Sequence, residues 1–178
     1  AAHDVMPEKG YLKYAEEFFS LIEKKYIQNR IYHSYSKDIV FIEDYAFLIS
    51  ALNDLSDKTM NFKYKTLALE LCKEAIKKFY LNDKNIFQKN LKNNNDIFFK
   101  PIDISDNTIP NGNAIMLINF TKLGMIEEAQ KLSESLNGYL NVYKSHMMTS
   151  LRAIDYFRNI KEGKNCNEKG CNIDAKKN

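Results

Sequence analysis

Two kinds of helical segment alternate along this chain. In the first kind, apolar residues recur every three or four positions with Glu and Lys opposite, as in residues 11–27, 64–80 and 124–140. In the second kind, at residues 44–55 and 112–123, almost every side is apolar. A helix with one apolar stripe covers a core from outside, whereas a helix that is apolar all round lies buried. The alternation therefore predicts an all-α fold in which outer and inner helices follow one another.

The outer helices are expected to pack by their apolar stripes. In the first of them the stripe consists of Tyr11, Ala15, Phe18, Ile22 and Tyr26. Residues at this spacing share one face of a helix, and burial of that face is what stabilises an amphipathic helix in a protein. We therefore expect this face of the first helix to lie against the core.

The connections between helices also alternate, in length. Segments that lead from an inner helix to the next outer one are short, whereas those from an outer helix to the next inner one are long. Two long connections contain strand-like pairs, residues 30–35 with 39–42 and residues 85–91 with 96–102, which predict small β-hairpins. A last helix is predicted at residues 145–160. Repeated helical hairpins with all long loops at one end close into rings or solenoids.

Composition is typical of a globular domain. The chain has 178 residues, of which 44% are hydrophobic and 28% charged, and its net charge is +3. This charge is too small to indicate nucleic-acid binding, and no apolar run approaches the roughly 18 residues of a membrane span. The first ten residues lack the pattern of a signal peptide, and we expect the chain to be a piece of a longer protein. The odd cysteine count, without such a signal, favours a cytoplasmic location.

Two stretches resemble motifs of a known family. FIEDYAFLISALNDL, at residues 41–55, is similar to the FLEDYAFLI motif of the YyaL-type and spermatogenesis-associated family of thioredoxin-domain-containing proteins. DISDNTIPNGNAIMLINFTKLG, at residues 103–124, resembles the DGATPSGNSVA stretch of the same family. The spacing of the two motifs and the RIYHSY segment at residues 30–35 also match. The resemblance covers residues 10–160.

This resemblance implies a fold. Proteins of the family carry an N-terminal thioredoxin-like domain, followed by an (α/α)6 toroid of the six-hairpin glycosidase type. This chain has no CxxC motif and only about half the helices of a full ring. Residues 1–160 are therefore expected to be the C-terminal half of the toroid, and residues 161–178 a polar, cysteine-containing tail. Since a half ring lacks partners for some of its helices, we expect the chain to self-associate.

The resemblance also implies two alternative functions. One is a carbohydrate-binding or carbohydrate-modifying domain with a sugar ligand. The other is a non-catalytic helical scaffold that presents partners to the thioredoxin-like domain of the same polypeptide. The sequence contains no P-loop, GxGxxG, HExxH or nucleophile-elbow motif, so we predict neither a cofactor nor a metal.

Two adjacent carboxylates, Glu43 and Asp44, stand at the start of the first inner helix. If the inner helices are parallel, their N-termini gather at one end, where the helix dipole favours acidic residues. Three interpretations stay open, namely acid–base catalysis, binding of sugar hydroxyls, and capping of the helix together with the preceding hairpin. Adjacent helical positions point about 100° apart. The two acids therefore cannot flank one substrate as a facing pair.

Aromatic side chains and a histidine lie close to these carboxylates in the sequence. Tyr35 and Tyr45 offer ring faces that stack on sugars, and the alternative for such residues is packing in the core. His33, on the predicted hairpin, is a further candidate for substrate binding. A histidine acts as acid–base catalyst in related toroid epimerases, but the family motif usually has Arg at this place.

The loop SDNTIPNGN before the second inner helix supplies further polar side chains, Asp106, Thr108, Asn111 and Asn113. Asn111 stands where the family usually has Ser. In one interpretation the four residues line the mouth of a cavity and bind hydroxyls or an anion. In the other they make the turn and cap hydrogen bonds that are common before a helix.

Cys166 and Cys171 form a pair in the C-terminal tail, similar to a pair found near the C-terminus of family members. Two cysteines are too few for a structural zinc site. The four residues between them can form a turn that brings the two sulfurs within bonding distance. The sharpest hypothesis is a redox-active pair that serves the thioredoxin-like domain. A structural disulfide and an unstructured polar tail are the alternatives.

Overall fold

The chain folds into packed helices joined by loops and very short strands. The computed structural model describes residues 2–27, 31–34, 39–91 and 101–164, and the backbone at 166–167 and 170–171. The helices are α1 (Ala2–Val5), α2 (Tyr11–Ile22, continued by a π-helical turn at Glu23–Ile27), α3 (Ile42–Thr59), α4 (Phe62–Phe79), α5 (Gly112–Leu123), α6 (Ile126–Tyr143) and α7 (Met148–Lys161). The strands are β1 (Tyr80–Leu81), β2 (Ile86–Phe87), β3 (Cys166–Asn167) and β4 (Gly170–Cys171). The predominance of helix confirms the predicted all-α class.

Local sequence signals account for where helices begin. Asn61 caps α4, because its side-chain oxygen accepts a hydrogen bond from the backbone N–H of Lys63 at 3.1 Å. Asn111 caps α5 in the same way, with the N–H of Ala114 at 2.9 Å from its Oδ1. Such side chains satisfy N–H groups that have no partner within the helix. The six predicted helices are all present, and their ends agree with the prediction to within a few residues.

The helices α3 and α5 run parallel and in close contact. Near their starts, the backbone of Gly112 packs against Ile42 and Glu43. Further along, the buried Asn119 of α5 donates one hydrogen bond to the carbonyl oxygen of Ala46 at 2.9 Å, and its Oδ1 accepts another from Asn53 at 3.3 Å. Since later residues of α5 meet later residues of α3, the two helices point the same way.

The helix α7 joins this parallel set on the other side of α5. Its Thr149 N–H donates to the carboxylate of Asp106 at 2.7 Å, and its Ser150 hydroxyl accepts from Asn111 at 3.2 Å. The start of α7 therefore lies beside the start of α5. The helices α4 and α6 form an outer layer, in which α4 packs on α3 and α6 packs on both α5 and α7. The predicted alternation of inner and outer helices is confirmed.

Only one of the two predicted inner helices is buried on all sides. All but two residues of α5 are buried, because α3, α6 and α7 surround it. The prediction for α3 was wrong in part: α3 has a solvent-facing side with Phe47 and Asp54, since nothing in the described chain covers it there. None of the described helices combines the length and apolar content needed to cross a lipid bilayer.

The packing of α2 also differs from the prediction. Tyr11, Ala15 and Phe18, which were expected to face the core, point outward. The inward face instead carries Phe19, whose ring meets the edge of Tyr64 of α4 at a centroid distance of 5.4 Å. The physical reason is that α2 is apolar on two sides, and only one of them can lie on α3 and α4.

The strand pairing observed in the second long connection differs from the prediction. Ile86–Phe87 pairs with Tyr80–Leu81, the residues directly after α4, and residues 96–100 of the expected partner segment lie outside the described residues. One backbone hydrogen bond, from Lys89 to Pro101 at 2.9 Å, links the two segments expected to pair. The short turn after α4 offers a nearer partner, so the chain closes a smaller loop.

In the first connection, one hydrogen bond joins the N–H of His33 to the carbonyl of Ile39 at 2.8 Å. Residues 39–41 are not a strand, and α3 begins at Ile42. In the described part of this connection, the hydrogen bond between His33 and Ile39 is the kind expected of a hairpin, but residues 39–41 do not form its second strand.

Two glycine substitutions test the close approach of α5 to α3. A Cβ atom on Gly112 would lie 3.1 Å from Ile42 Cγ2 and 3.3 Å from Glu43 Cγ, whereas one on Gly138 of α6 meets nothing within 4 Å. We expect Gly112→Ala to destabilise the protein by about 1–3 kcal/mol through overpacking. The control Gly138→Ala should stabilise it by about 0.5–1 kcal/mol. Urea denaturation measures both, and a stabilising Gly112→Ala would contradict this packing.

Candidate functional site

Asp44 occupies the third position of α3 and has both carboxylate oxygens engaged. Its Oδ2 accepts a hydrogen bond from the backbone N–H of Phe41 at 2.8 Å, and its Oδ1 lies 2.9 Å from His33 Nδ1. A carboxylate that bonds the N–H just before a helix stabilises the helix start. These contacts support the interpretation that Asp44 caps α3 and holds the preceding segment through His33.

Glu43 points to the other side of the helix start, toward Lys89. Its Oε1 lies 3.3 Å from Lys89 Nζ, which also lies 3.1 Å from Asp103 Oδ2. Glu43 Oε2 is buried, and no described residue donates a hydrogen bond to it. Burial is the largest cause that raises the pKa of Glu43 above its ordinary value, although Lys89 acts in the opposite direction. Glu43 thus has a largely buried carboxyl group, of which Oε2 has no partner among the described residues.

The ring of Phe41 lies between the two acidic groups. Lys89 Nζ lies 5.9 Å from its centroid, and the ring of His33 meets it edge to face at 4.9 Å. The backbone carbonyl of Lys89 also accepts from the N–H of Ile42 at 3.1 Å. The start of α3 therefore brings His33, Phe41 and Lys89 into one polar and aromatic cluster.

Glu43 lies beside the TIPNGN loop, residues 108–113. The contact is made by Gly112, the residue after Asn111, at the start of α5. Asp44 contacts Phe41 and His33 on the opposite side of the helix start. The two acids therefore do not flank a common space, in agreement with their angular separation on the helix.

Asp106 and Asn111 form a structural connection between α5 and α7. Asp106 Oδ1 accepts from the backbone and the side-chain amide of Asn111, at 3.1 and 2.8 Å. Its Oδ2 accepts from the N–H of Thr149 at 2.7 Å. Because Asn111 is buried as well, these contacts favour the turn-and-cap interpretation over a role at a cavity mouth.

Asn113 has a similar structural role. Its side chain is fully buried and pairs with the backbone of Phe87, accepting from the N–H at 2.9 Å and donating to the carbonyl at 3.0 Å. It also donates to the carbonyl of Asp103 at 3.0 Å. The amide therefore fastens β2 and the loop before α5 to the helix. The expectation that Asn113 lines an open mouth is corrected, because its polar atoms are already satisfied inside the protein.

The structure places Tyr45 in the core. Its ring is fully buried against Phe79, and its hydroxyl accepts a hydrogen bond from Lys78 at 2.9 Å. Burial raises its pKa. The expectation that Tyr45 stacks on a sugar is therefore corrected, since its position in the first turn points it inward. Thr108 is exposed, and Tyr35 lies outside the described residues.

The cysteine pair lies on facing strands. β3 and β4 are antiparallel, with Cys166 directly opposite Cys171 and Asn167 opposite Gly170. Residues directly opposite in such a pair have Cα atoms about 4.5–5.5 Å apart, which falls within the range that a disulfide spans. The backbone register thus fits the predicted pairing, and the redox role stays a prediction.

Two residues of the cluster escaped the sequence analysis. Lys89 is one lysine among many, and its segment was assigned to a hairpin strand. Asp103 is the first residue of the second motif stretch, but no local pattern distinguishes it from other acids. Both come to Glu43 through long connections, so only the fold brings them together.

Neither a protein-family model nor a curated protein matches this sequence. The resemblance carried by residues 41–55 and 103–124 therefore stays a prediction. The geometry of the cluster around Glu43 is the basis on which a function can be argued.

The titration of Glu43 tests whether its carboxyl group is buried. We expect its carboxyl carbon, followed by NMR, to titrate above the roughly 4.3 of a free glutamate side chain, because burial disfavours the charge. Lys89→Met should raise the pKa of Glu43 further, since it removes the nearby cation.

The same shift has a consequence for stability. A carboxyl group with a raised pKa in the folded state stabilises that state at low pH, and this contribution is lost as the pH rises through the folded pKa. In the Glu43→Gln variant, this loss of stability with rising pH should be absent. The control is the exposed Glu127, whose pKa is lowered by Lys131. The Glu127→Gln variant should still lose stability as the pH rises through the pKa of Glu43. An ordinary pKa for Glu43 would contradict its burial.

Proposed function

We propose that this chain is a carbohydrate-binding or carbohydrate-modifying segment of an (α/α)6 toroid, with its ligand at the end where α3, α5 and α7 begin. The observation that carries the proposal is Oε2 of Glu43, which is buried near Lys89 and receives a hydrogen bond from none of the described residues. Buried acceptors without a donor are rare in native proteins and call for an explanation. A hydroxyl group of a bound sugar supplies the missing donor.

The surroundings of Glu43 suit a ligand rich in hydroxyl groups. The side chain keeps 13% of its surface exposed, so in this proposal the ligand approaches from the open end of the helices. Lys89 can donate and Asp103 can accept hydrogen bonds next to it. The exposed His33 and the ring of Phe41 border the same end. Aromatic and charged groups together are typical of small-molecule sites.

If the site is catalytic, Glu43 is the residue suited to proton transfer. A raised pKa keeps a carboxyl group protonated nearer to neutral pH, which suits a general acid. Asp44 is less suited, because both of its oxygens are engaged in holding the start of α3. Asp103, on the other side of Lys89, is the second carboxylate of the cluster.

The arrangement of helices supports the toroid part of the proposal. Three parallel helices, α3, α5 and α7, lie side by side, and α4 and α6 cover them from one side. An inner layer of parallel helices with an outer layer running back is the repeating unit of an (α/α) ring. The proposal includes the rest of the ring, a thioredoxin-like domain on the same polypeptide and a cytoplasmic location.

A glycan-array screen followed by calorimetry tests the carbohydrate proposal. We expect a sugar to bind, and Glu43→Gln to weaken its affinity by about tenfold or more, because a charged hydrogen-bond acceptor is lost. The control Asp44→Asn should keep the affinity and lower the stability by about 1 kcal/mol, as expected for a cap. Equal affinity for wild type and Glu43→Gln would exclude Glu43 as the binding residue.

A second candidate function is the non-catalytic scaffold. The observation that favours it is that Asp106, Asn111 and Asn113 direct their polar groups to the protein itself, and that Tyr45 is buried. Under this proposal the chain presents partners to the thioredoxin-like domain. The pair Cys166 and Cys171 undergoes thiol–disulfide exchange with that domain.

Thiol counting tests the redox part of the scaffold proposal. Oxidised glutathione should convert Cys166 and Cys171 to a disulfide by thiol–disulfide exchange, with two molecules of reduced glutathione as the other product. Mass spectrometry after thiol blocking should then find two fewer alkylated cysteines per chain, and a reductant should restore both. Cys72 is the internal control, because it is buried and its pKa is raised to about 12. Two alkylatable thiols at 166 and 171 after oxidation would exclude the redox role.

A further inference from the structure

The outward face of α2 carries an apolar stripe that the described chain leaves uncovered. It consists of Tyr11, Tyr14, Phe18 and Leu21, which are 37%, 64%, 64% and 54% exposed. The inward face of the same helix is already packed through Phe19. Soluble proteins rarely leave several large apolar side chains exposed next to one another, and such a patch marks an interaction site.

The spacing of the stripe points to its occupant. Successive residues of the stripe are three, four and three positions apart, which is the spacing of the apolar seam in a two-helix coiled coil. This spacing is the same when the helix is followed in either direction. We propose that α2 pairs antiparallel with α2 of a second copy of this chain. A two-fold axis beside Glu16 then places Tyr14 opposite the partner's Phe18. Such a symmetric contact is the commonest form of homodimer.

The size of the stripe fits a weak dimer. A buried aromatic side chain covers about 150–250 Å², so four side chains that are roughly half exposed offer about 400–500 Å² per copy. Two copies then bury about 800–1,000 Å² in total, at the lower limit for a specific but weak interface. Since four side chains provide most of this area, each of the central pair, Tyr14 and Phe18, carries a large share of the affinity.

The charges beside the stripe do not oppose the pairing. Lys13 and Glu17 lie along one edge and form an exposed ion pair at 3.8 Å. In the antiparallel arrangement Glu17 of one copy lies near both the partner's Lys13 and the partner's Glu17, so attraction and repulsion offset each other. Exposed charges at the rim of an interface have little effect on affinity.

Sedimentation equilibrium between about 1 and 100 µM, the range suited to a weak complex, tests the pairing. The wild-type chain should dimerise, and Phe18→Glu should raise the dimer dissociation constant by about tenfold or more. The matched control is Leu151→Glu on α7, which is 49% exposed but lies apart from α2. This variant should dimerise like the wild type. Circular dichroism of each variant checks that the helices are intact.

Cysteine cross-linking tests the register independently of affinity. In a chain with Cys166→Ser and Cys171→Ser, oxidation of mixed Tyr11→Cys and Leu21→Cys samples should give a covalent heterodimer, because these positions face each other. Neither variant alone should cross-link.

Two results would overturn the proposal. The first is a wild-type chain that stays monomeric at about 100 µM. The stripe would then be covered by a segment of a different chain and not by a second copy. The second is a dimer that Phe18→Glu does not weaken. Since Glu43 lies outside the stripe, Glu43→Gln should leave dimerisation unchanged. The dimer proposal and the sugar-binding proposal are therefore tested independently.

Discussion

The close contact between the start of α5 and the start of α3 is the constraint on which the candidate site depends. Gly112 brings the backbone of α5 against Ile42 and Glu43 so closely that an added Cβ atom would lie 3.1 Å from Ile42 Cγ2 and press on its neighbours. Because the two helices are parallel, this contact brings their N-termini together. The burial of Glu43 follows from it, since the neighbouring helix removes water from one side of the carboxyl group.

Buried asparagines hold this arrangement in place. Asn111 caps α5 and binds Asp106, Asn113 joins α5 to β2, and Asn119 joins α5 to α3. Each amide both donates and accepts, so one side chain can satisfy two backbone or side-chain groups. A buried amide that lost its partners would destabilise the fold, which makes these contacts specific for one packing of the helices. The polar residues of the TIPNGN loop thus act mainly on the structure.

Much of this fold could be predicted from periodicity. The apolar pattern of residues 112–123 predicted α5 with its observed ends, which the cap residues Asn111 and Gly124 mark. The strand pairs were not predictable in the same way. Residues 86–87 had two possible partners of similar composition, and the nearer one, residues 80–81, pairs with them. The choice depends on loop closure and on the amide of Asn113, neither of which has a sequence pattern.

The candidate site was predictable at Glu43, Asp44 and His33 but not at Lys89 and Asp103. The sequence by itself determined that Glu43 and Asp44 stand at the start of an inner helix, because helical periodicity and capping are local properties. Only the tertiary structure decided that Glu43 is buried beside Lys89 and Asp103 while Asp44 holds His33. It also decided which side of α2 faces the core. Burial and charge pairing depend on residues far apart in the chain, and these meet only when the helices pack.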